Sequence, residues 1–292
     1  MKNKQVKQPV ITDSELNKIK KYQRTVKKNG FRPWVTVRQS HTYGQGQIIF
    51  SHKTGRLHHL LSRGERLPFF MFESDVTIVD ILEQYPLPIN ETLDIARKLN
   101  IVHPGSYKER YKHDLKIPAK TMTTDLVIIR QLPDGRKILE PYSYKYQSAL
   151  DSAVNGQRKV NRTQQKLDLE FAFWRTQGVE CVLLTEHDFD RTEIYNLEFL
   201  RECYDHPEYL DMSNEKLLSI IDTFVKHFIG HSELTLYQHI QCVSEALAIS
   251  KYQALSVFQK AVYERLINLN LSERIELYRP IHYPPQGYGY VA

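Results

Sequence analysis

The chain of 292 residues is 41% hydrophobic and 25% charged, and its 40 Lys and Arg against 34 Asp and Glu leave a formal net charge of +6. That length admits two domains of ordinary globular composition, and the basic excess favours an anionic partner only modestly. No apolar run reaches the ~18 residues of a membrane span. The opening MKNKQVKQPV lacks the apolar stretch of a secretion signal. Cys181, Cys203 and Cys242 are too scattered for a disulfide framework or a zinc site. A reduced, cytoplasmic protein with no membrane partner is expected.

Residues 1–30 are lysine-rich, with Lys18, Lys20, Lys21, Arg24, Lys27 and Lys28 close together. They read as a basic arm or surface helix able to touch a phosphate backbone, or equally as a solvated charged tail. From Phe31-Arg32-Pro33-Trp34 the chain enters its folded body. Residues 35–38 and 47–51 read as strands around a turn at Gly44-Gln45-Gly46. His52, His58 and His59 follow, but no cysteine or carboxylate completes a ligand spacing, so packing and hydrogen bonding are their expected use. Ser62-Arg63-Gly64-Glu65 has the form of a capping box ahead of the apolar run 67–72. Pro68 within that run predicts a kink, or a helix that begins there. Residues 76–82 read as a strand closed by Tyr85-Pro86-Leu87-Pro88, residues 92–99 as a short helix, and 107–120 as a charged surface loop.

Residues 121–147, TMTTDLVIIRQLPDGRKILEPYSYKYQ, hold two β-rich runs around Pro133-Asp134-Gly135. Proline presets φ, aspartate bonds its own backbone and glycine accepts a positive φ, so a hairpin is predicted. If it folds about Asp134, residue 125 lies opposite residue 143, and a bulge at Gly135 would shift this by one. Opposed Cβ atoms sit roughly 4.5–5.5 Å apart and side chains two apart share a face, so Asp125, Ser143 and Lys145 converge. A carboxylate there suits a hard cation, and a lysine beside it suits an oriented water or a charged phosphate. The plain alternative is an aspartate that caps a turn and a lysine that marks an edge strand.

Residues 148–162 are polar and read as a mobile loop. Thr163 is placed to cap a helix with Leu167, Phe171 and Trp174 on its core face and Gly178 at its end. Residues 180–185 read as a buried strand, so helix, glycine and strand form a crossover onto the central sheet. Beyond residue 188 the composition turns helical. Ser213 caps a helix to 227 or 228, residues 236–247 form a second, and Ser250 caps a third with Leu255, Phe258, Val262 and Leu266 as its stripe. With residues 275–278 as a strand or wing, this outline resembles a winged helix, although the stripe equally fits a helical docking domain.

An aspartate, a hairpin and then X-x-Lys is the layout of metal-dependent nucleases of the restriction-endonuclease fold, where X is usually Glu or Gln; here it is Ser143. Longer stretches are more specific: IIFSHKTGRLHHLLS at 48–62, FESDV at 72–76, Asp80-Ile81, EQYPL at 83–87, MTTD at 122–125, Tyr144-Lys145, and TQQKLDLE at 163–170. Over about residues 30–188 these resemble the TnsA family, the endonuclease subunits of heteromeric cut-and-paste transposases. Beyond 188 only the helical outline agrees.

The resemblance implies an α/β fold with a restriction-endonuclease-like N-terminal domain containing a mixed sheet, residues 1–188, and a helical winged-helix-like C-terminal domain, residues 189–292. It implies a DNA endonuclease dependent on Mg2+, with Mn2+ as the alternative, that cuts the 5′ ends of a transposon. The implied partners are double-stranded DNA at the transposon ends, a TnsB-type DDE transposase that cuts the 3′ ends, and a TnsC-type AAA+ regulator docked on the C-terminal region. By the same match Glu65, Asp125 and Lys145 are catalytic. Glu65, Asp125 and Ser143 would hold the metal, the serine through its main-chain carbonyl. Two other readings are a DNA-binding adaptor in which Ser143 marks weakened catalysis, and a restriction or repair nuclease. Intact Asp125 and Lys145 weigh against the first, and the SHKTG block against the second.

Overall fold

A computed structural model describes residues 6–40 and 45–283; residues 1–5, 41–44, which include Gly44 of the expected glycine turn, and 284–292 lie outside the described residues. The chain divides into two units, residues 1–73 with 77–188 and residues 74–76 with 189–292. No helix among the described residues is long and apolar enough to cross a membrane.

The first unit opens with helix α1 (Asp13–Asn29), capped by the Thr12 hydroxyl, which accepts from Glu15 N. Its lysines therefore ride a surface helix. Glu15 is buried and accepts from Thr121 N at 2.9 Å and Thr121 Oγ1 at 2.7 Å, which pins the helix to the segment leading into the central hairpin. Strands β1 (Gln47–Ser51) and β2 (Arg56–Leu60) pair antiparallel, Phe50 opposite Leu57. The expected strand at 35–38 is absent, and the turn of this hairpin lies between Ser51 and Arg56. Local polar bonds win at the first place: Thr36 and Gln39 close a capping box around a single 3-10 turn, Val37–Gln39. Helix α2 (Arg66–Ser74) needs no kink. Pro68 falls in its first turn, where a backbone N–H would have no helical acceptor anyway.

Strands β3 (Ile78–Pro86), β4 (Thr123–Gln131), β5 (Lys137–Tyr144) and β6 (Val182–Leu184) form a sheet in that order, antiparallel except for β6, which runs parallel to β5. The sheet is thus mixed, as the crossover requires. Helix α3 (Ile89–Lys98) follows β3, and two single turns, α4 (Gln147–Leu150) and α5 (Ser152–Asn155), precede the long helix α6 (Gln157–Thr176). Leu82 and Val127 from the sheet pack with Ile95 and Ala96 of α3 and Leu169, Phe173 and Trp174 of α6.

Four expectations need correction here. Residues 148–162 are largely helical. α6 starts at Gln157, after Gly156 at φ +75°, and Thr163 lies inside it. Phe173 rather than Phe171 is among the buried residues of the core face. β6 is short and only half-buried, with Val182 46% exposed, because it lies at the edge of the sheet.

The second unit is helical: α7 (Arg191–Arg201), α8 (Asn214–Gly230), α9 (Leu236–Ala246) and α10 (Lys251–Tyr263). Ser213 and Ser250 accept from Lys216 N and Gln253 N, so both predicted caps are in place. Phe224, Phe228, Phe258 and Val262 are buried among these helices. Ala248 turns the chain between α9 and α10 at φ +51°, a conformation usually left to glycine. Leu266 lies past the end of α10 and is 51% exposed, and Ile267 is buried instead. No strand forms at 275–278. Tyr237 N donates to Leu277 O at 2.7 Å and Leu236 N to Arg279 O at 2.9 Å, and an isolated bridge joins Thr235 and Pro280. The start of α9 takes up these carbonyls, so the expected wing is reduced to a bridge.

Candidate active site

The central hairpin is built by its turn. Gly135 takes φ +83°, its N–H donates to Leu132 O, Leu132 N donates to Arg136 O, and the Asp134 carboxylate accepts from Arg136 N at 3.0 Å. Gln131 then faces Lys137 and Leu126 faces Tyr142, the register expected for a fold about Asp134. Asp125 lies just beyond the last pair. Its Oδ2 accepts from Tyr144 N at 2.9 Å and from Lys145 Nζ at 2.7 Å. Gln84 of β3 reaches Oδ1 at 3.4 Å, and its own side-chain oxygen accepts from Thr123 Oγ1 at 2.9 Å. Gln84 is buried at φ +48°, a left-handed conformation that costs a non-glycine residue about 1 kcal/mol or more.

Lys145 is held on both sides. Its N–H donates to Leu184 O of β6 at 2.9 Å, and its ammonium also reaches Tyr144 O at 2.7 Å. Burial alone would lower the lysine pKa. The carboxylates of Asp125, Glu170 and Glu65 outweigh it and raise the pKa above the ordinary lysine value. The group therefore stays charged.

Glu65 sits in the turn before α2, 5% exposed. Its oxygens accept from Leu61 N at 2.9 Å and Ser62 Oγ at 3.0 Å, and its own N–H donates weakly to Ser62 Oγ at 3.3 Å. The capping turn is real, and it also aims the carboxylate inward. Burial first, and then the charge of Asp125, push the Glu65 carboxyl up to about 8.

Ser143 is fully buried, and its hydroxyl donates to Glu170 Oε1 of α6 at 2.6 Å, so its side chain serves that carboxylate and not Asp125. Burial and the nearby Asp125 charge push Glu170 up to about 7. Sequence reasoning gave Glu170 no role. A signal existed: Glu170 occupies the apolar stripe between Leu167 and Trp174, where a carboxylate is costly unless it is paired.

Among the described residues no three His, Cys, Asp or Glu side chains are arranged to enclose an ion. The donor chemistry still fits a hard cation. Glu65 and Glu170 are both raised by the charge of Asp125, so the pocket holds more carboxylate than Lys145 balances. Mg2+ takes only one or two protein carboxylates and keeps several waters, and such a set suits it.

The SHKTG stretch serves a neighbouring clamp. His58 is buried, with Nδ1 2.9 Å from Glu83 Oε2 and Nε2 2.6 Å from Thr54 Oγ1. Arg56 reaches both Glu83 oxygens at 2.8 and 3.1 Å, and His59 N donates to Glu83 Oε1 at 3.2 Å. These bonds tie β2 to β3 at the residue before Gln84. The histidines are thus spent on packing and hydrogen bonds.

Gly64 explains its own departure from a helix-friendly residue. A Cβ there would overlap the ring of Tyr144, which is 4% exposed and cannot swing away. Gly64→Ala is expected to destabilise the protein by about 1–3 kcal/mol, the usual cost of overpacking. Urea denaturation checks it; an unchanged midpoint would mean that the loop yields freely.

A mixed sheet that presents a carboxylate–lysine pair at the end of a hairpin, followed by a helical unit, is the layout of a nuclease-like protein with an appended helical region. The model described as "TnsA-like endonuclease N terminal" matches residues 75–186, and the one described as "TnsA endonuclease C terminal" matches residues 188–271. The chain belongs to the TnsA endonuclease family. It is 30% identical over 168 residues to the Transposon Tn7 transposition protein TnsA of Escherichia coli; the alignment covers 58% of this chain and 55% of that protein. Asp125, Ser143, Lys145 and Glu170 lie inside the N-terminal match, whereas Glu65 precedes it.

Proposed function

We propose that this chain is an Mg2+-dependent DNA endonuclease that cuts the 5′ ends of a transposon during cut-and-paste transposition, with a DDE transposase cutting the 3′ ends. An AAA+ regulator would dock on the helical unit. The observation that carries the reading is the Lys145–Asp125 pair at 2.7 Å, with the buried Glu65 carboxylate feeling the Asp125 charge, in a chain of this family.

Asp125 and Glu65 would hold the ion, with the main-chain carbonyl of Ser143. When bound, Mg2+ supplies Lewis-acid polarisation of a phosphoryl oxygen. Lys145 keeps its proton among the carboxylates and offsets charge that develops on the phosphate, or orients the attacking water. Leu61 N and Ser62 Oγ orient Glu65. Glu170 and Ser143 form a buried hydrogen-bonded pair whose carboxylate feels the Asp125 charge.

The test is cleavage of duplex DNA carrying a transposon end by the full chain with a cognate DDE transposase, in Mg2+ and in EDTA. Nicking at the 5′ end that requires Mg2+ is expected, and its absence under every combination sinks the reading. Glu65→Gln separates cap from chemistry. A lost cap costs about 0.5–2 kcal/mol of stability, whereas a lost metal ligand spares stability and removes activity. A stable, inactive variant is expected; a destabilised, active one would leave Glu65 as a cap alone. A second reading, a DNA-binding adaptor with weakened catalysis, is favoured by the Ser143 hydroxyl being committed to Glu170. It predicts binding of the end DNA without cleavage by the wild-type chain.

A further inference from the structure

Helix α6 carries a row of side chains that the chemistry above leaves unused. Glu170 faces the site, with its carboxylate 2.6 Å from Ser143 Oγ. Residues four apart on a helix lie on one face, one turn above another. Lys166 is therefore the next side chain up that face, and Arg162 the one after. Arg162 is fixed in place, donating to Val102 O at 2.7 Å and to Gln165 Oε1 at 3.1 Å. Lys166 has no hydrogen-bond acceptor and no ion-pair partner among the described residues, and its side chain is exposed.

The charges of two other cations reach Lys166. Partial burial first, and then the charges of Arg162 and Lys145, lower its pKa below the ordinary lysine value, and no carboxylate offsets them. With no partner of its own among the described residues, the Lys166 ammonium is available to an anion such as a DNA phosphate. Successive turns of an α-helix stand about 5.4 Å apart. A DNA strand carries a phosphate about every 3.4 Å along the duplex axis. The two spacings are not equal, so the side chains of α6 do not pair one to one with successive phosphates, but a row of cations offers one strand more than one phosphate contact, which an isolated surface lysine does not.

We propose that Lys166, backed by Arg162, grips the phosphate adjoining the scissile one on the cleaved DNA strand, so that α6 sets the register of the strand over Asp125 and Lys145. Lys166 is a positioning residue. It rests on the nuclease reading, and it adds the surface along which the substrate strand runs.

The experiment uses the full chain and a fluorescein-labelled duplex carrying the cleavage sequence, with Ca2+ in place of Mg2+ so that binding is read without turnover. Mg2+ reactions on the same duplex, with the cognate DDE transposase added, map the cut. A panel of duplexes carries one methylphosphonate each, walked across the mapped position, so that one phosphate charge is removed at a time. Lys166→Ala is expected to weaken binding about tenfold and to lower the log–log salt slope by roughly 0.9, the value for one phosphate contact. Wild type loses a similar factor at one methylphosphonate next to the cut, and Lys166→Ala loses nothing further at that one position while it still responds at the others. Lys166→Arg keeps binding near wild type. Lys166→Met, which retains the aliphatic stem, replaces the alanine variant if that variant melts early.

An equal loss at every methylphosphonate position in Lys166→Ala, or binding indistinguishable from wild type, overturns the assignment of Lys166 and leaves the nuclease reading intact. Failure of the wild type to bind or cut the duplex even with the transposase present overturns both.

Discussion

Asp125→Asn is expected to abolish cleavage, by on the order of 10³-fold or more, while the protein stays folded. The substitution keeps the shape but removes the charge that holds Lys145 Nζ at 2.7 Å and that lies nearest Glu65 and Glu170 in electrostatic terms. A factor of 10³ is about 4 kcal/mol of barrier, the loss expected if Asp125 is the metal ligand proposed above. The stability cost should be far smaller. Breaking a fully buried ion pair costs about 3–5 kcal/mol, but the Lys145 side chain is 32% exposed, so solvent takes over much of the lost partner. About 1 kcal/mol is expected, in line with screened pairs. Single-turnover cleavage and urea denaturation of the same preparation measure both. A rate within tenfold of wild type would remove Asp125 from the chemistry.

Lys145→Ala is the second large effect. Its ammonium is bonded to Asp125 and is kept charged by the surrounding carboxylates. On the proposed mechanism, removing it takes away one electrostatic stabiliser of the developing phosphate charge, worth on the order of a hundredfold in rate. Ser143→Ala in contrast leaves the main-chain carbonyl of β5 where it is and removes only the hydroxyl given to Glu170, so its rate should fall by less than about tenfold. DNA binding in Ca2+ is expected to change by less than about threefold in Lys145→Ala, a loss well under 1 kcal/mol. The contrast is the test: if Ser143→Ala proves as crippled as Lys145→Ala, the buried Ser143–Glu170 bond is itself required for chemistry.

The central hairpin was legible because its determinants are neighbours in sequence. Pro133, Asp134 and Gly135 act on their own backbone, and once the turn is made the register follows along the strands, bringing Asp125 to Tyr144 N and Lys145. The caps at Ser213 and Ser250 were legible for the same reason, since each bond spans three residues. The Ser62–Glu65 box was legible as a cap, but periodicity could not tell that its carboxylate points into a buried, acidic pocket.

Where local signals competed with distant partners, the sequence alone misled. Residues 35–38 have strand-like composition, yet Thr36 and Gln39 close on each other, and β1 instead takes β2 as its partner. Residues 148–162 look like a polar loop, yet the turn Gly156 supplies lets α6 begin at Gln157.

What the amino-acid sequence by itself determined is the hairpin and its register, the helix caps and the pairing of Asp125 with Lys145, because these interactions join residues on the same or adjoining strands and turns. Only the tertiary structure decided that Ser143 serves Glu170, 27 residues away, that Glu15 anchors α1 to Thr121, 106 residues away, and that the histidine stretch closes on Glu83. Those bonds depend on which helix packs across which sheet. Burial sets that packing by joining many apolar contacts at once, and no single local motif encodes it.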